Sequence, residues 1–204
     1  MRPKSNTRRS ILSGLIGTIG GMVFTRAAHA AGLTPRAGEG PFYPTGAVRH
    51  TDVDNDLVKI IGRVREAGGE VITLRGQVLQ ANGTPRSGHR VEIWQCDVNG
   101  KYLHPGDNRD VVHDQGFQGF GHDITDAEGR YSFRTIKPGE YPGRTPHIHV
   151  KVFDDQGTEV LTTQFYEDGN AANADDFLTG ACLRNRPAMC RCDMFRRRTA
   201  WMSR

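Results

Sequence analysis

Between Val71 and Tyr166 glycine, proline and tight-turn signals recur about every ten residues, which leaves runs of strand length and none of helix length. Val71-Ile72-Thr73-Leu74-Arg75-Gly76-Gln77-Val78-Leu79 is strand-like and ends near Asn82-Gly83, a hairpin signal. In Arg90-Val91-Glu92-Ile93-Trp94-Gln95 the side chains alternate, so Val91, Ile93 and Gln95 share one face and Trp94 takes the other. Asp126-Ala127-Glu128-Gly129 turns the chain into Tyr131–Ile136, and Lys137-Pro138-Gly139 ends that strand. His147–Phe153 alternates again, and Val160–Tyr166 completes the series. The pattern predicts an all-β fold, a β-sandwich of mainly antiparallel strands with long loops. The sandwich is expected over 71–179. It is preceded by an irregular arm, 31–70, centred on Gly38-Glu39-Gly40-Pro41-Phe42-Tyr43-Pro44, because glycine and proline at that density disfavour helix and strand interiors.

The net charge of +4 misleads if read as a property of the body. Residues 1–30 carry +5 and residues 184–204 carry +6, so 31–183 is acidic at −7. A nucleic-acid partner therefore has no support in the charge. Residues 1–30 read as a leader: Arg8-Arg9, a mostly apolar stretch from Ile11 to Phe24, then Ala28-His29-Ala30 as a small-x-small cleavage site. The apolar stretch is too short to span a bilayer, so no stable membrane anchoring is expected. The paired arginines and Arg26 point to a twin-arginine export signal and a periplasmic or extracellular destination. Three of the four cysteines, Cys182, Cys190 and Cys192, fall in the C-terminal tail and the fourth is Cys96, so no disulfide framework is expected.

His147 and His149 stand at i and i+2 on a predicted strand, where both imidazoles project to one face and can reach one metal. By itself this is a weak signal. Tyr141 lies just upstream in a loop bounded by glycine and proline, and Tyr102 follows the Asn99-Gly100 turn after the Trp94 strand. His50, His89, His104, His113 and His122 have no ligand spacing among themselves.

The order of these residues carries more information than any one of them. Trp94-Gln95-Cys96-Asp97-Val98-Asn99-Gly100-Lys101-Tyr102, then Thr125-Asp126-x-x-Gly129-x-Tyr131-x-Phe133 through Pro138-Gly139-x-Tyr141-Pro142, then Arg144-x-x-His147-Ile148-His149, resembles the intradiol ring-cleavage dioxygenases. The likeness is greatest to the iron-binding subunit of the protocatechuate-type enzymes, and it covers roughly 36–178. It implies a non-haem Fe(III) cofactor with Tyr102, Tyr141, His147 and His149 as ligands, and a small aromatic diol and O2 as substrates. It also implies Arg144 as a substrate-supporting cation, Gln164 as a pocket amide and Trp94 as a cavity wall. In the family one tyrosinate leaves the metal as the catechol chelates it, and Tyr141 is the matching residue. Phenolates are hard anionic donors that favour Fe(III) over Fe(II). The resemblance further implies a homo-oligomer or a second subunit that shares the pocket.

Two departures stand out. Only Pro142 and Gly143 separate Tyr141 from Arg144, a shorter loop than in the protocatechuate-type subunit, which leaves the choice of catechol open. Residues 180–204 reverse the charge and carry no strand pattern; they read as a frameshifted or truncated end, or else as a basic disordered tail. A family-like strand in another reading frame of the gene would distinguish the two. The alternative functional readings are a non-catalytic transthyretin-like binding module, which shares the Thr-Asp-x-x-Gly-x-Tyr-x-Phe strand pair, and a zinc protein using the two histidines alone. Neither gives Tyr102 and Tyr141 a role.

Overall fold

The computed structural model describes residues 33–46, 49–176 and 178, and the backbone of Arg191–Cys192. The expected leader and the remainder of the C-terminal tail lie outside the described residues. Seven strands follow in order: β1 Val71–Gln77, β2 Arg90–Trp94, β3 Phe120–Ile124, β4 Arg130–Ile136, β5 His147–Phe153, β6 Glu159–Glu167 and β7 Arg191–Cys192. One short 3-10 turn, Ala171–Ala174, is capped by the Asn170 side chain. Among the described residues no helix is long and apolar enough to cross a membrane.

β1 and β4 form one antiparallel pair, and the second sheet runs β3-β2-β5-β6-β7. All pairings are antiparallel except the two-residue contact of β7 with β6. The apolar alternation sets the packing. Ile72 and Leu74 of β1 and Tyr131 and Phe133 of β4 meet Val91, Ile93, Ile148, Val150, Val152 and Phe165 of the larger sheet in one buried cluster. This is the sandwich that the period-2 pattern predicts. Gly76 is required where it stands, because a Cβ there would lie 2.3 Å from the Tyr131 hydroxyl oxygen across the strand pair.

β1 ends at Gln77, two residues before the expected boundary. Beyond it the chain closes the Asn82-Gly83 turn through a single Leu79–Pro85 bridge. β3 has no counterpart in the sequence pattern, since Phe120-Gly121-His122-Asp123-Ile124 does not alternate. Its glycine explains why. A Cβ on Gly121 would lie 2.2 Å from the carbonyl oxygen of Asp54 and 2.7 Å from Leu57 Cδ1, so the strand accommodates the arm crossing it.

The arm has no strand of its own, yet it is part of the core. The Leu57 N–H donates to Arg134 O (2.8 Å), Arg134 N–H to Asn55 O (2.9 Å), Gln118 N–H to Leu57 O (3.0 Å) and His122 N–H to Val53 O (3.0 Å). Those bonds satisfy backbone groups that burial would otherwise leave unpaired. They seat the fully buried Leu57 and Val58 in the main apolar cluster. Leu57→Ala is expected to cost about 2–5 kcal/mol of stability, read as a lower denaturant midpoint at unchanged slope. A loss below about 0.5 kcal/mol, the ordinary size of a surface substitution, would show that the arm does not contribute to the core.

Candidate metal centre

β5 lies between β2 and β6, and its two faces have different duties. Ile148, Val150 and Val152 enter the apolar core, so His147, His149 and Lys151 must project from the opposite face. Register fixes their neighbours there. His149 is paired with Trp94 on one side and Gln164 on the other, and His147 with Tyr166. All five of these side chains are buried.

Three ring heteroatoms converge at this face. His147 Nε2 lies 3.1 Å from His149 Nε2, which lies 3.2 Å from Tyr102 Oη, and Tyr102 Oη is 3.4 Å from His147 Nε2. A point about 2.1 Å from all three exists just off their plane, the distance at which imidazole binds a transition metal. His147 Nδ1 sits 2.7 Å from the Thr145 carbonyl oxygen. Donation of Nδ1–H to that oxygen leaves Nε2 with a free lone pair. His149 is oriented by packing: its ring stacks on Trp94 at 4.7 Å between centroids and 10° between planes, and its Nδ1 has no hydrogen-bond partner among the described residues. On its other side Gly40 comes so close that a Cβ there would be 3.3 Å from His149 Cε1.

Burial sets the protonation of the group. It pushes the His147 imidazole down to about 4, helped by the Arg144 charge, and holds His149 well below its ordinary value. It also holds the Tyr102 phenol well above its ordinary value. Without a cation the cluster is therefore neutral. The imidazoles are ready ligands, and the phenol would ionise only against a strongly Lewis-acidic ion. Among the described residues no three His, Cys, Asp or Glu side chains come together as a metal-binding group; the side-chain oxygen beside the histidine pair is that of Tyr102.

Tyr141 closes the fourth side. Its ring centroid is 5.6 Å from His147 and 5.8 Å from Tyr102, and unlike Tyr102 it is partly exposed. Burial raises its phenol too, and Arg144 opposes the rise. Arg144 Nη1–H points at Tyr141 Oη from 3.4 Å, Nη2–H donates to Gln164 Oε1 at 2.8 Å, and Nε–H donates to the buried Asp176 carboxylate at 2.8 Å. Gln164 thus holds Arg144, while its own amide donates to Gly38 O and its oxygen also accepts from the Tyr166 hydroxyl. Trp94 is wholly buried behind His149, against a minor cavity shared with Phe42 and Tyr102. The open cleft, about 390 Å³, lies on the other side and is walled by Glu140–Thr145 with Ala172, Asp175 and Asp176.

Both phenols sit on loops, and two glycines allow those loops to touch. A Cβ on Gly100 would lie 2.1 Å from Glu140 O, and one on Gly139 would lie 2.5 Å from Gly100 N and Val98 O. Asp107 anchors the Tyr102 loop by accepting its N–H at 2.9 Å. Arg109 grips both oxygens of Asp107, donates to Gly100 O at 2.6 Å and lies 5.3 Å over the Tyr141 ring. Burial alone would raise the Asp107 carboxyl, but Arg109 and the Tyr102 N–H outweigh it and hold it well below the usual carboxylate range.

Of the residues the sequence singles out, Tyr102, Tyr141, Arg144, His147, His149 and Gln164 lie together, whereas Trp94, expected as a cavity wall, stands behind His149, and neither Trp94 nor Gln164 lines the open cleft. The sequence does not point to Phe42, Tyr43, Tyr166 or Asp176. Tyr166 was legible as the same-face neighbour of Gln164 at i+2. Phe42 stacks on Tyr102 and Tyr43 packs edge-on against Trp94, and both come from the arm, whose path carries no sequence signal. Cys96 is free and buried next to Gly139; the other three cysteine side chains lie outside the described residues.

Residues 38–191 match a protein-family profile described as Dioxygenase. Over 131 residues the chain is 42% identical to the protocatechuate 3,4-dioxygenase beta chain of Burkholderia cepacia, covering 61% of this chain and 56% of that one. It is 32% identical over 170 residues to catechol 1,2-dioxygenase 1 of Acinetobacter lwoffii, covering 74% of this chain and 52% of that one. The chain thus spans about half the length of these curated relatives. Among solved structures, the dioxygenase domain of a dioxygenase–carbohydrate-binding fusion protein from Streptomyces sp. SirexAA-E superposes with a TM-score of 0.55 at 34% identity, covering 76% of this chain and 84% of that domain.

Asp107→Asn leaves Arg109 short of its countercharge and loosens the Tyr102 loop. The expected loss is about 2–3 kcal/mol, less than for a fully buried pair because Arg109 is partly exposed. The depressed carboxyl gives the sign of the pH effect. Its contribution is present above the unfolded carboxylate value of about 3.9 and is lost as pH falls below it. The gap between the two urea midpoints should therefore narrow from pH 7 to pH 3, without closing, because the folded carboxyl titrates lower still; a gap that stays constant with pH would refute the clamp.

Proposed function

The chain belongs to the intradiol ring-cleavage dioxygenase family, and we propose that it opens catechols between the two hydroxylated carbons, with ferric iron held by Tyr102, Tyr141, His147 and His149. Both atoms of O2 enter the product, a cis,cis-muconate-type diacid. The observation that carries this reading is the convergence of Tyr102 Oη, His147 Nε2 and His149 Nε2 within 3.1–3.4 Å, with Tyr141 beside them. Two neutral imidazoles and two phenols suit a hard trivalent ion. When bound, that ion supplies the Lewis acidity that keeps the catechol as its dianion and readies the ring for O2.

The chain's own residues divide the remaining work. Tyr102, His147 and His149 are buried and stay fixed. Tyr141, partly exposed and walling the open cleft, would be the phenolate that yields its position, taking a catechol proton at Oη to become the neutral phenol. Arg144 eases negative charge at that oxygen and on the ring, and Gln164 and Asp176 keep its guanidinium in place. The roof formed by Gly40, Phe42 and Tyr43 keeps water from the far side of His149. A transthyretin-like binding module has no use for three converging ring heteroatoms. Similarity to both an alpha and a beta protocatechuate dioxygenase chain supports assembly with further like chains.

Protein purified in air with iron should be red-brown from phenolate-to-iron charge transfer and should consume O2 with catechol or hydroxyquinol. Tyr102→Phe should weaken the colour. A colourless protein with stoichiometric iron, or an unchanged spectrum in Tyr102→Phe, would refute the ligand set. Export rests on the twin-arginine-like leader and Ala28-His29-Ala30. The mature form should begin at Ala31 in the periplasm or medium; retention of residues 1–30 in active protein would count against it.

A further inference from the structure

We propose that the cleft beside Tyr141 selects catechols whose substituent is neutral or cationic, with Glu140 and Asp175 as the residues that turn away carboxylated rings; this rests on the reading of the site as a catechol-cleaving centre. The cleft is the open space next to Tyr141, so a ring bound in place of that phenol would have its substituent there. Its wall contains three carboxylates, Glu140, Asp175 and Asp176, against one cation, Arg144.

The single cation is already matched. Arg144 faces the fully buried Asp176 carboxylate at 2.8 Å and Gln164 Oε1 at 2.8 Å, and only 11% of its side-chain surface is exposed. Thr145 is committed as well. The Thr145 N–H donates to Asp176 at 2.9 Å and its hydroxyl donates to Asn173 at 2.8 Å. Pro142 offers no N–H, and Gly143 offers only its backbone N–H. Glu140 and Asp175 differ from these, because both are exposed and make no side-chain hydrogen bond or ion pair among the described residues. Among the described residues they give the cleft an excess of negative charge. A carboxylate entering it would lose hydration, meet two like charges and find, among the described residues of the wall, no cation that is not already paired. An amide of the same shape carries no such penalty. Two unit charges at several ångströms through water disfavour a third by about tenfold in affinity, and salt should screen the effect.

The test uses the iron-loaded protein and two isosteric catechols, 3,4-dihydroxybenzoate and 3,4-dihydroxybenzamide. Affinity is read without O2 from the shift of the visible band, and turnover separately from O2 uptake. The amide is expected to bind about tenfold tighter at low salt. The ratio should shrink as NaCl is raised, and it should shrink in the Glu140→Gln, Asp175→Asn double variant. Each single variant should shrink it partway, which guards against loss of the double variant. Equal affinities in the parent protein, or a ratio that neither salt nor the substitutions move, would overturn the proposal. Absence of O2 uptake with both compounds would instead overturn the ring-cleavage reading, while the affinity ratio still decides this one.

Discussion

The two-sided burial of β5 is the constraint on which the rest depends. One face supplies Ile148, Val150 and Val152 to the core, and the other presents His147, His149 and Lys151 to a polar but covered layer. Because side chains alternate with a period of two, slipping β5 by one residue would push imidazoles into the apolar core and leave isoleucine and valine at the candidate metal centre. The hydrophobic cost of that slip fixes the register. The register then fixes the stack of Trp94 on His149, and it brings Gln164 and Tyr166 to the same layer.

A sheet alone cannot build the site, because its phenols come from loops. What the strands do for the histidines, close backbone approach and one ion pair do for the tyrosines. Gly100 and Gly139 remove the side chains that would hold the two loops apart. Arg109 then joins them, bonding to the Asp107 carboxylate that anchors the Tyr102 backbone and lying over the Tyr141 ring. The two phenols are left unequal. Tyr102 is sealed, whereas Tyr141 borders the cleft, and this asymmetry suits one permanent and one replaceable ligand.

The polar layer outside β5 would be costly if left bare. Lys151 is paired with Glu39 and lies 3.9 Å from the centre of the Tyr43 ring, while the Tyr43 hydroxyl donates to the buried Glu92 at 2.6 Å. These contacts draw the arm over the sheet and set Gly40 against His149. The donors beneath are consequently dry and neutral, a state in which a bound cation gains most from the phenols and the unprotonated imidazoles. Arg144 supplies the fixed positive charge nearby, already balanced by Asp176.

Local chemistry made much of this legible. The period of alternation gave five of the strands and the sandwich, because each such strand must hide one face. His147-x-His149 and the order of Tyr102, Tyr141 and Arg144 identified the centre, because the strand period and short loops limit where those groups can go. β3 stayed hidden since Gly121 answers to a crossing chain and not to its own neighbours in sequence. The roof over His149, the Arg109–Asp107 clamp and the carboxylate-rich wall of the cleft depend on contacts between residues far apart in the chain. Residue types and spacing determine which donors can reach a metal; only tertiary packing decides which of them are dry, which can move, and what charge a substrate meets on the way in.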